Sequence, residues 1–438
     1  MSDTHAQTTR FVRESMLPSQ EPPATETGAI KWLRENLFSG VLNIVLTVLA
    51  IAAVAWLAIH ILPWFLNSVW VADSLTQCRE IRNETLGEGA SSACFAVITE
   101  RWNQLVFGFY PRELYWRPVT ALVIFLLAVA PVLFQSLPRK LLWFSAISPF
   151  LLYFFLWGGT IWFPICVALG FVLGFAAWKI GLRFGGGLVA GLAAIVVPLA
   201  WWFFACGPLA AELGRVAPVG LEFVPSDDFG GFMLSFIIGI AGISLSLPLG
   251  ILLALGRQSN LFIINKISVA FIEVIRGVPL IVWLFTASLL LNYFLPPGTN
   301  FDLMLRVIIM VTLFSAAYIA EVVRGGLAAL PKGQYEAADA LGLDYPRAMR
   351  LIILPQALKI SIPGIVNTFI GLFKDTTLVV FIGLLDPIGL SNSIRATTSW
   401  NGIYWELFVF IGLMFFVCCF SMSRYSIYLE KKLQRGHH

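Results

Sequence analysis

Charge is scarce in this sequence. Asp, Glu, Lys and Arg make up 12% of its 438 residues, about half of what a soluble domain carries. A water-solvated globule is thereby excluded. Histidine is scarcer still: the four residues His5, His60, His437 and His438 share no metal-ligand spacing, so no metal site is expected. Their scarcity also argues against a membrane-embedded enzyme, which would cluster catalytic groups at one interface. No Gly-Lys dipeptide occurs, so the phosphate loop Gly-x-x-x-x-Gly-Lys-Ser/Thr is absent. Basic clusters interleaved with exposed aromatics are missing too. The net charge of +4 therefore does not point to nucleic acid, because basic loops are expected of a membrane protein. The first 35 or so residues lack the basic start, apolar core and cleavage site of a secretory leader. They carry Glu14, Glu21 and Glu26 and a polar, proline-rich run over 18–27, and residues 1–36 read as a disordered tail.

What is abundant is apolar surface: 58% of residues are hydrophobic and the mean hydropathy is +0.82. The apolar residues fall in ten long blocks, at 39–64, 119–136, 141–156, 159–179, 186–205, 232–255, 268–291, 303–325, 360–384 and 403–425. Blocks of this kind read as bilayer spans. The fold class is all-α, a polytopic membrane protein with about ten transmembrane helices. The third and fourth blocks, separated only by Gly158-Gly159-Thr160, fit either a helical hairpin or one broken span.

Orientation follows from the positive-inside rule. With Arg10, Arg13, Lys31 and Arg34 inside, ten crossings return the basic tail 429–438 (Lys431, Lys432, Arg435) to the same side. The inside loops then hold Arg139, Lys140, Lys179, Arg183, Arg257, Lys266 and the bases of 332–359, and the outside loops hold mostly acids. Both termini are expected to be cytoplasmic. The longest outside loop, 65–117, mixes acids and bases and contains Cys78 and Cys94. An oxidising space would allow a disulfide between them; two unpaired thiols are the alternative. Within that loop the aromatic stretch Trp102 to Tyr110 fits an interfacial segment. Cys166, Cys206, Cys418 and Cys419 lie in or beside apolar blocks and read as packing residues.

The segment 331–359 is the longest amphipathic stretch between two spans, and local chemistry predicts two short helices there. Tyr335 to Leu341 are mostly good helix formers. Gly342 suits the left-handed residue that ends a helix. Asp344 is a candidate N-cap for the second helix, with Pro346 in its first turn. That helix is expected to run to about Leu354, where Pro355 stops or kinks it. Ala337, Ala338 and Ala340 would offer a low-relief surface for another protein.

The spacing Glu336-Ala337-Ala338, three residues, Gly342, nine residues, then Ile352-x-Leu354-Pro355 resembles the EAA loop of ABC importer permeases. Segments 271–280, 317–326 and 373–378 resemble those of polar amino-acid permeases. The similarity covers about 228–428, which would be the five-helix core of a type I importer permease. The preceding region, 37–227, resembles the N-terminal extension of the larger permease subunit of general L-amino-acid importers. The resemblance implies a bacterial inner-membrane complex. Two ABC ATPase subunits would hold ATP-Mg, a second permease subunit would complete the path as a copy or a paralogue, and a periplasmic amino-acid-binding protein would deliver substrate. No cofactor is expected in this chain. It further implies that Glu336, Ala337, Ala338, Gly342, Leu354 and Pro355 couple to the ATPase.

Charged residues within or near spans are costly and usually paired or functional. Glu273 with Arg276, and Glu321 with Arg324, are spaced to share a helix face and fit structural pairs. Arg276 and the run Lys374-Asp375-Thr376-Thr377 are candidates for the substrate path, where a zwitterion needs partners for both its charges. An ion-coupled secondary transporter is the competing reading, although no internal repeat supports it. A structural scaffold would have no need of the spaced loop motif.

Overall fold

The computed structural model describes residues 28–134, 136–290 and 302–434. The chain divides into two compact units: Met1–Ser68 with Leu86–Ala93, and Val69–Thr85 with everything from Cys94 onward. In the first unit, α1 (Gly28–Asn36) is helical with Lys31 and Glu35 paired across one turn at 3.8 Å. The disordered tail expected over 1–36 is therefore corrected at its C-terminal end, because 28–36 supplies helix formers and an i,i+4 ion pair; the stretch 1–27 lies outside the described residues. The second helix, α2 (Val41–Leu66), is apolar all round, with a window hydropathy of 2.6.

The second unit begins with three short helices, α3 (Leu75–Leu86), α4 (Ala96–Glu100) and α5 (Trp102–Phe107). Of the aromatic stretch expected to lie along an interface, Tyr110 is buried while Trp102 and Phe109 are exposed, so the stretch is anchored on one side and open on the other. Next come α6 (Trp116–Leu133), α7 (Leu142–Trp157), α8 (Trp162–Phe184), α9 (Gly186–Ala200) and α10 (Cys206–Val216). Gly158 and Gly159 take positive φ angles of 74° and 78°, which reverses the chain after α7 at little cost. Strand β1 (Gly159–Thr160) then pairs antiparallel with β2 (Gly220–Leu221). The third and fourth blocks are therefore two separate helices. The fully buried Arg117 clasps this corner, its Nε donating to the Phe155 carbonyl at 2.7 Å and its Nη1 to that of Glu222 at 2.8 Å. Tyr110 donates to the Leu156 carbonyl at 2.9 Å, and burial pushes its phenol up to about 12, an effect eased by Arg117.

The remaining elements form the second half: α11 (Gly231–Arg257), α12 (Phe262–Gly277), α13 (Leu280–Phe285), α14 (Leu303–Ala328), α15 (Lys332–Ala340), α16 (Tyr345–Ala348), α17 (Leu354–Asp375), α18 (Pro387–Arg395) and α19 (Trp405–Gln434). The basic tail continues α19 as far as Gln434; residues 435–438 lie outside the described ones. Among the described residues nine helical stretches are long and apolar enough to cross a membrane, and the pair Phe262–Gly277 with Leu280–Leu290 makes a tenth if counted as one span. That pair is bent by 102°, so the single block read over 268–291 is corrected to a broken one. Pro279 lacks an N–H, and its predecessor Val278 is driven to extended backbone (φ −121°, ψ 135°).

The core of this half is the parallel pair α11 and α14. Small residues on α11 let the backbones approach. A Cβ on Gly242 would lie 3.0 Å from Val311 Cγ1, and one on Gly250 would lie 2.6 Å from Ile319 Cγ2 and 2.9 Å from the Ala316 carbonyl. Beyond α17, Asp386 starts α18: its Oδ1 accepts from the Gly389 N–H at 2.9 Å. The carboxyl is fully buried, and Oδ2 has no partner among the described residues. Burial pushes Asp386 up to about 6, against the pull of backbone N–H donors.

Two outcomes follow from this packing. Gly250→Val is expected to destabilise the detergent-solubilised protein by about 1–3 kcal/mol through overpacking, read as a lower thermal midpoint. For Asp386 the folded state disfavours the charged form. Its contribution is fully present below the ordinary carboxylate pKa of 3.8 and is lost as pH rises through about 6. The loss amounts to at most about 3 kcal/mol. Asp386→Asn keeps an N-cap acceptor, so its thermal midpoint should fall less than the wild type's between about pH 5 and pH 8. Equal falls in the two proteins would refute this role.

Candidate functional site

The loop between α14 and α17 is built as a small helical hook. Pro331 precedes α15, as suits a residue without an N–H. Gly342 takes φ +70° and closes the helix as expected: its N–H donates to the Asp339 carbonyl at 2.9 Å, and that of Leu343 to the Ala338 carbonyl at 3.2 Å. These contacts satisfy carbonyls that a helix end leaves open. Asp344 sits at the N-cap position of α16 without a side-chain cap bond, its carboxylate instead facing Arg347 at 3.6 Å.

The hook has two faces. Tyr335 packs against the buried cluster that includes Leu327, Leu330, Met349 and Ile353, Ala338 is buried, and Gln356 donates to Gln334 at 3.0 Å. Glu336, Ala337 and Ala340 are exposed. The low-relief surface is corrected accordingly: Ala338 is 1% exposed and belongs to the protein's own core, because residues three apart, such as Tyr335 and Ala338, share the inner face. The outer surface contains three residues that the sequence reading missed, Leu341, Tyr345 and Leu351, which are 73%, 59% and 64% exposed. Pro355 also behaves differently from expectation. The chain passes through a π-helical turn at Met349–Ile353 and continues as α17. The wider turn accommodates a proline at the first turn of the next helix, so Leu354 and Pro355 open a span and do not end a helix.

A charge cluster lies above this hook, at the end of α14. Glu321 is shared by three arginines: Arg257 at 2.8 Å, Arg324 at 3.0 Å and Arg276 at 3.7 Å. Glu273 pairs with Arg257 at 2.8 Å. The i,i+3 pairing of Glu321 with Arg324 is present. That of Glu273 with Arg276 is corrected: Arg276 turns to α14 and lies over the Tyr318 ring, 5.3 Å from its centroid. Arg257 is 64 residues from Glu321 in sequence, too far for spacing to reveal the contact. The cluster ties the ends of α11, α12 and α14 together.

The other path candidates lie elsewhere. A Cβ on Gly239 would meet Phe373 at 3.0 Å and Thr376 at 3.8 Å, so Thr376 packs beside Gly239. Gly239 precedes Arg257 by eighteen residues of α11, roughly 27 Å at 1.5 Å per residue. Arg276 and the run 374–377 are therefore not one site. Thr376 donates to the Phe373 carbonyl at 2.7 Å and Thr377 to that of Lys374 at 2.9 Å, so both hydroxyls already serve their own helix. Arg306, also missed by the sequence reading, is largely buried in α14 and donates to the carbonyls of Ala287 at 3.2 Å and Ser288 at 2.9 Å. It thereby supports the π-helical turn Thr286–Leu290 that follows α13. No group of His, Cys, Asp and Glu among the described residues has the arrangement to hold a metal ion.

A bundle of apolar spans, broken at one helix and carrying an amphipathic hook at one end, defines a transmembrane permease subunit. Residues 246–435 match the model for the inner membrane component of binding-protein-dependent transport systems. The chain is 58% identical over 439 residues, all of both chains, to the glutamate/glutamine/aspartate/asparagine transport system permease protein BztC of Rhodobacter capsulatus. It is 39% identical to the inner membrane amino-acid ABC transporter permease protein YhdY of Escherichia coli, over 96% of this chain and 97% of that one. A solved structure described as an amino acid ABC transporter with histidines is 30% identical, covering 46% of this chain and 91% of its own, with a TM-score of 0.41. The chain belongs to the family of ABC importer permeases. Such relatives are permease subunits, with ATP hydrolysis on a separate subunit, and the ion-coupled reading is set aside.

Glu321→Gln leaves Arg276 and Arg324 without the carboxylate they pair with and Arg257 with Glu273 alone. It is expected to lower the stability of the purified protein by about 1–3 kcal/mol. Glu273→Gln, at a more exposed position, should cost less than about 1 kcal/mol. Thermal unfolding of both variants in detergent checks the order.

Proposed function

We propose that this permease is the larger transmembrane subunit of an importer that carries L-amino acids, dicarboxylic ones and their amides among them, across a bacterial inner membrane. The observation that carries this reading is the 58% identity, end to end, with a permease named for glutamate, glutamine, aspartate and asparagine transport. Residues 228–428 form the translocation core, residues 37–227 are the extension, and both termini face the cytoplasm. A second permease subunit, a paralogue of this chain, completes the path, and a periplasmic binding protein delivers substrate. ATP-Mg is bound and hydrolysed by paired ABC ATPases.

The hook is the contact with the ATPase. Glu336 and Ala337 on the outer face of α15 meet it, flanked by Leu341, Tyr345 and Leu351. Ala338 and Gly342 act from behind, seating and turning the helix. Closure of the ATPase pair moves the hook. Through the Gln334–Gln356 contact and the packing of Tyr335 on Met349 and Ile353, that motion passes into α17. The path then changes access by movement of packed helices. Arg276 serves the Glu321 cluster in this scheme, and Asp375 is left as the candidate in 374–377 for the substrate ammonium.

Reconstitution with the ATPase, the second permease and the binding protein in proteoliposomes tests the proposal. Uptake of labelled glutamate and glutamine is expected to require ATP, to stop with vanadate and to survive dissipation of the ion gradient. The opposite pattern would refute it. Glu336→Lys and Gly342→Asp should each reduce uptake at least about tenfold, the loss of roughly 1.4 kcal/mol or more of coupling. Ala337→Arg should weaken ATPase co-purification while leaving the permease's own thermal midpoint unchanged. Ala338→Arg should lower that midpoint, because it buries an unpaired charge.

A further inference from the structure

The stretches 69–85 and 94–110, one segment of the second unit joined by the disulfide, lie outside the residues matched by the family model, yet they are built onto the core. The Cys94 N–H donates to the buried Glu406 carboxylate at the start of α19, at 3.0 Å. Trp102 packs on Phe410, with ring centroids 5.7 Å apart. Gly231, the first residue of α11, lies directly against the Leu105 carbonyl, where a Cβ would collide. Gly108 bridges to Phe229. These contacts all fall at the beginnings of α11 and α19. Arg257 at the far end of α11 meets Glu321, beside the hook. The segment therefore caps the end of the core opposite the hook.

Above this cap sits α3. Leu75 touches the turn at Gly402, Cys78 is buried and joined to Cys94 by a disulfide, and Ile81 and Arg82 are half-buried. These residues recur every three or four positions, so one face of α3 is anchored. The other face carries Gln77, Arg79, Glu80, Asn83 and Glu84, all exposed. Arg79, Glu80 and Glu84 have no ion-pair partner among the described residues and are exposed. A helix of low hydropathy, pinned by a covalent bond and displaying unpaired charges of both signs, suits a polar, water-exposed protein surface.

We infer that α3 and its disulfide form the docking platform for the soluble substrate-binding protein. The inference rests on the importer reading. A binding-protein-dependent permease must receive its substrate at the end away from the ATPase contact, and at α11 and α19 that end is covered by 69–85 and 94–110. The binding protein meets this added layer before it meets the core helices. The contact is polar, so it governs encounter and salt dependence more than tight binding. The disulfide keeps α3 in register on Glu406 through Cys94.

The experiment uses the full complex in nanodiscs and follows ATPase activity against concentration of the purified, glutamate-loaded binding protein. The charge-reversal triple Arg79→Glu, Glu80→Arg, Glu84→Arg is expected to raise the half-maximal concentration at least tenfold at low salt. The gap between it and the wild type should narrow at high salt. Replacement of Asn83 by p-benzoylphenylalanine should give a light-dependent crosslink to the binding protein, an independent readout should the triple variant assemble poorly. A wild-type response that the triple variant matches within twofold, or an Asn83 probe that crosslinks only to lipid, overturns the platform alone. A wild-type complex that responds to no binding protein overturns the importer reading and the platform with it.

Discussion

Inside an apolar bundle every polar group must carry its partner with it, and most of this structure is organised by that constraint. Arg117 enters the fold with no carboxylate, so it spends its donors on the carbonyls where α7 ends and just after β2. Arg306 does the same for the carbonyls of Ala287 and Ser288 in the π-helical turn after α13. Thr376 and Thr377 return their hydroxyls to the helix that bears them. Glu321 is the ionic version: one carboxylate, 16% exposed at its side chain, accepts three guanidinium groups from three elements. Arg117, Arg306, Thr376 and Thr377 lie near the ends or breaks of helices, where backbone groups are open and need a partner. The charged residues mark the irregular places in the bundle, and irregular backbone is where a transport path can be built.

The consequence for mechanism is a division of labour between the two ends of the core. At the hook, α15 is held by the packing of Tyr335 and by the Gln334–Gln356 contact, so on the proposed reading a push on its outer face is delivered to α17. At the other end, α11 and α19 begin beneath a layer that the chain itself supplies from its extension. Between them the parallel pair α11 and α14 is packed too closely to slide, with Gly242 against Val311 and Gly250 against Ile319. Motion of such a pair is rigid-body motion. The Glu321 cluster joins the end of α11 to α12 and α14.

Much of this was legible beforehand. Long apolar blocks mark spans because the bilayer demands them, and nine of the ten proved to be helices of spanning length. The turn at Gly342 was legible because a left-handed residue closing a helix favours glycine. Three kinds of feature stayed hidden. The break at Pro279 lies within a run of uniform hydropathy, so only the proline itself signals it. The inward turn of Ala338 depends on what lies beneath α15, and a three-letter motif carries no such information. The Arg257–Glu321 pair joins residues on different helices, far apart in the chain, and spacing rules reach only one turn.

The exposed Leu341, Tyr345 and Leu351 sharpen what the loop motif means. The conspicuous letters Glu336-Ala337-Ala338 describe a helix that is mostly polar and small, and such a surface supplies little binding free energy. Leu341, Tyr345 and Leu351 flank it on one continuous stretch of chain and together leave large apolar area in water. Burying one such side chain contributes about 1.5–3 kcal/mol, several times an exposed ion pair. On the proposed reading, alanines set the distance of approach, Glu336 sets the register, and the three large apolar residues hold the ATPase in place. Gly342 lies between these groups in the chain, and its left-handed turn ends α15 before the Tyr345–Leu351 stretch begins. The motif is then better understood as a shape with an apolar rim than as a string of letters.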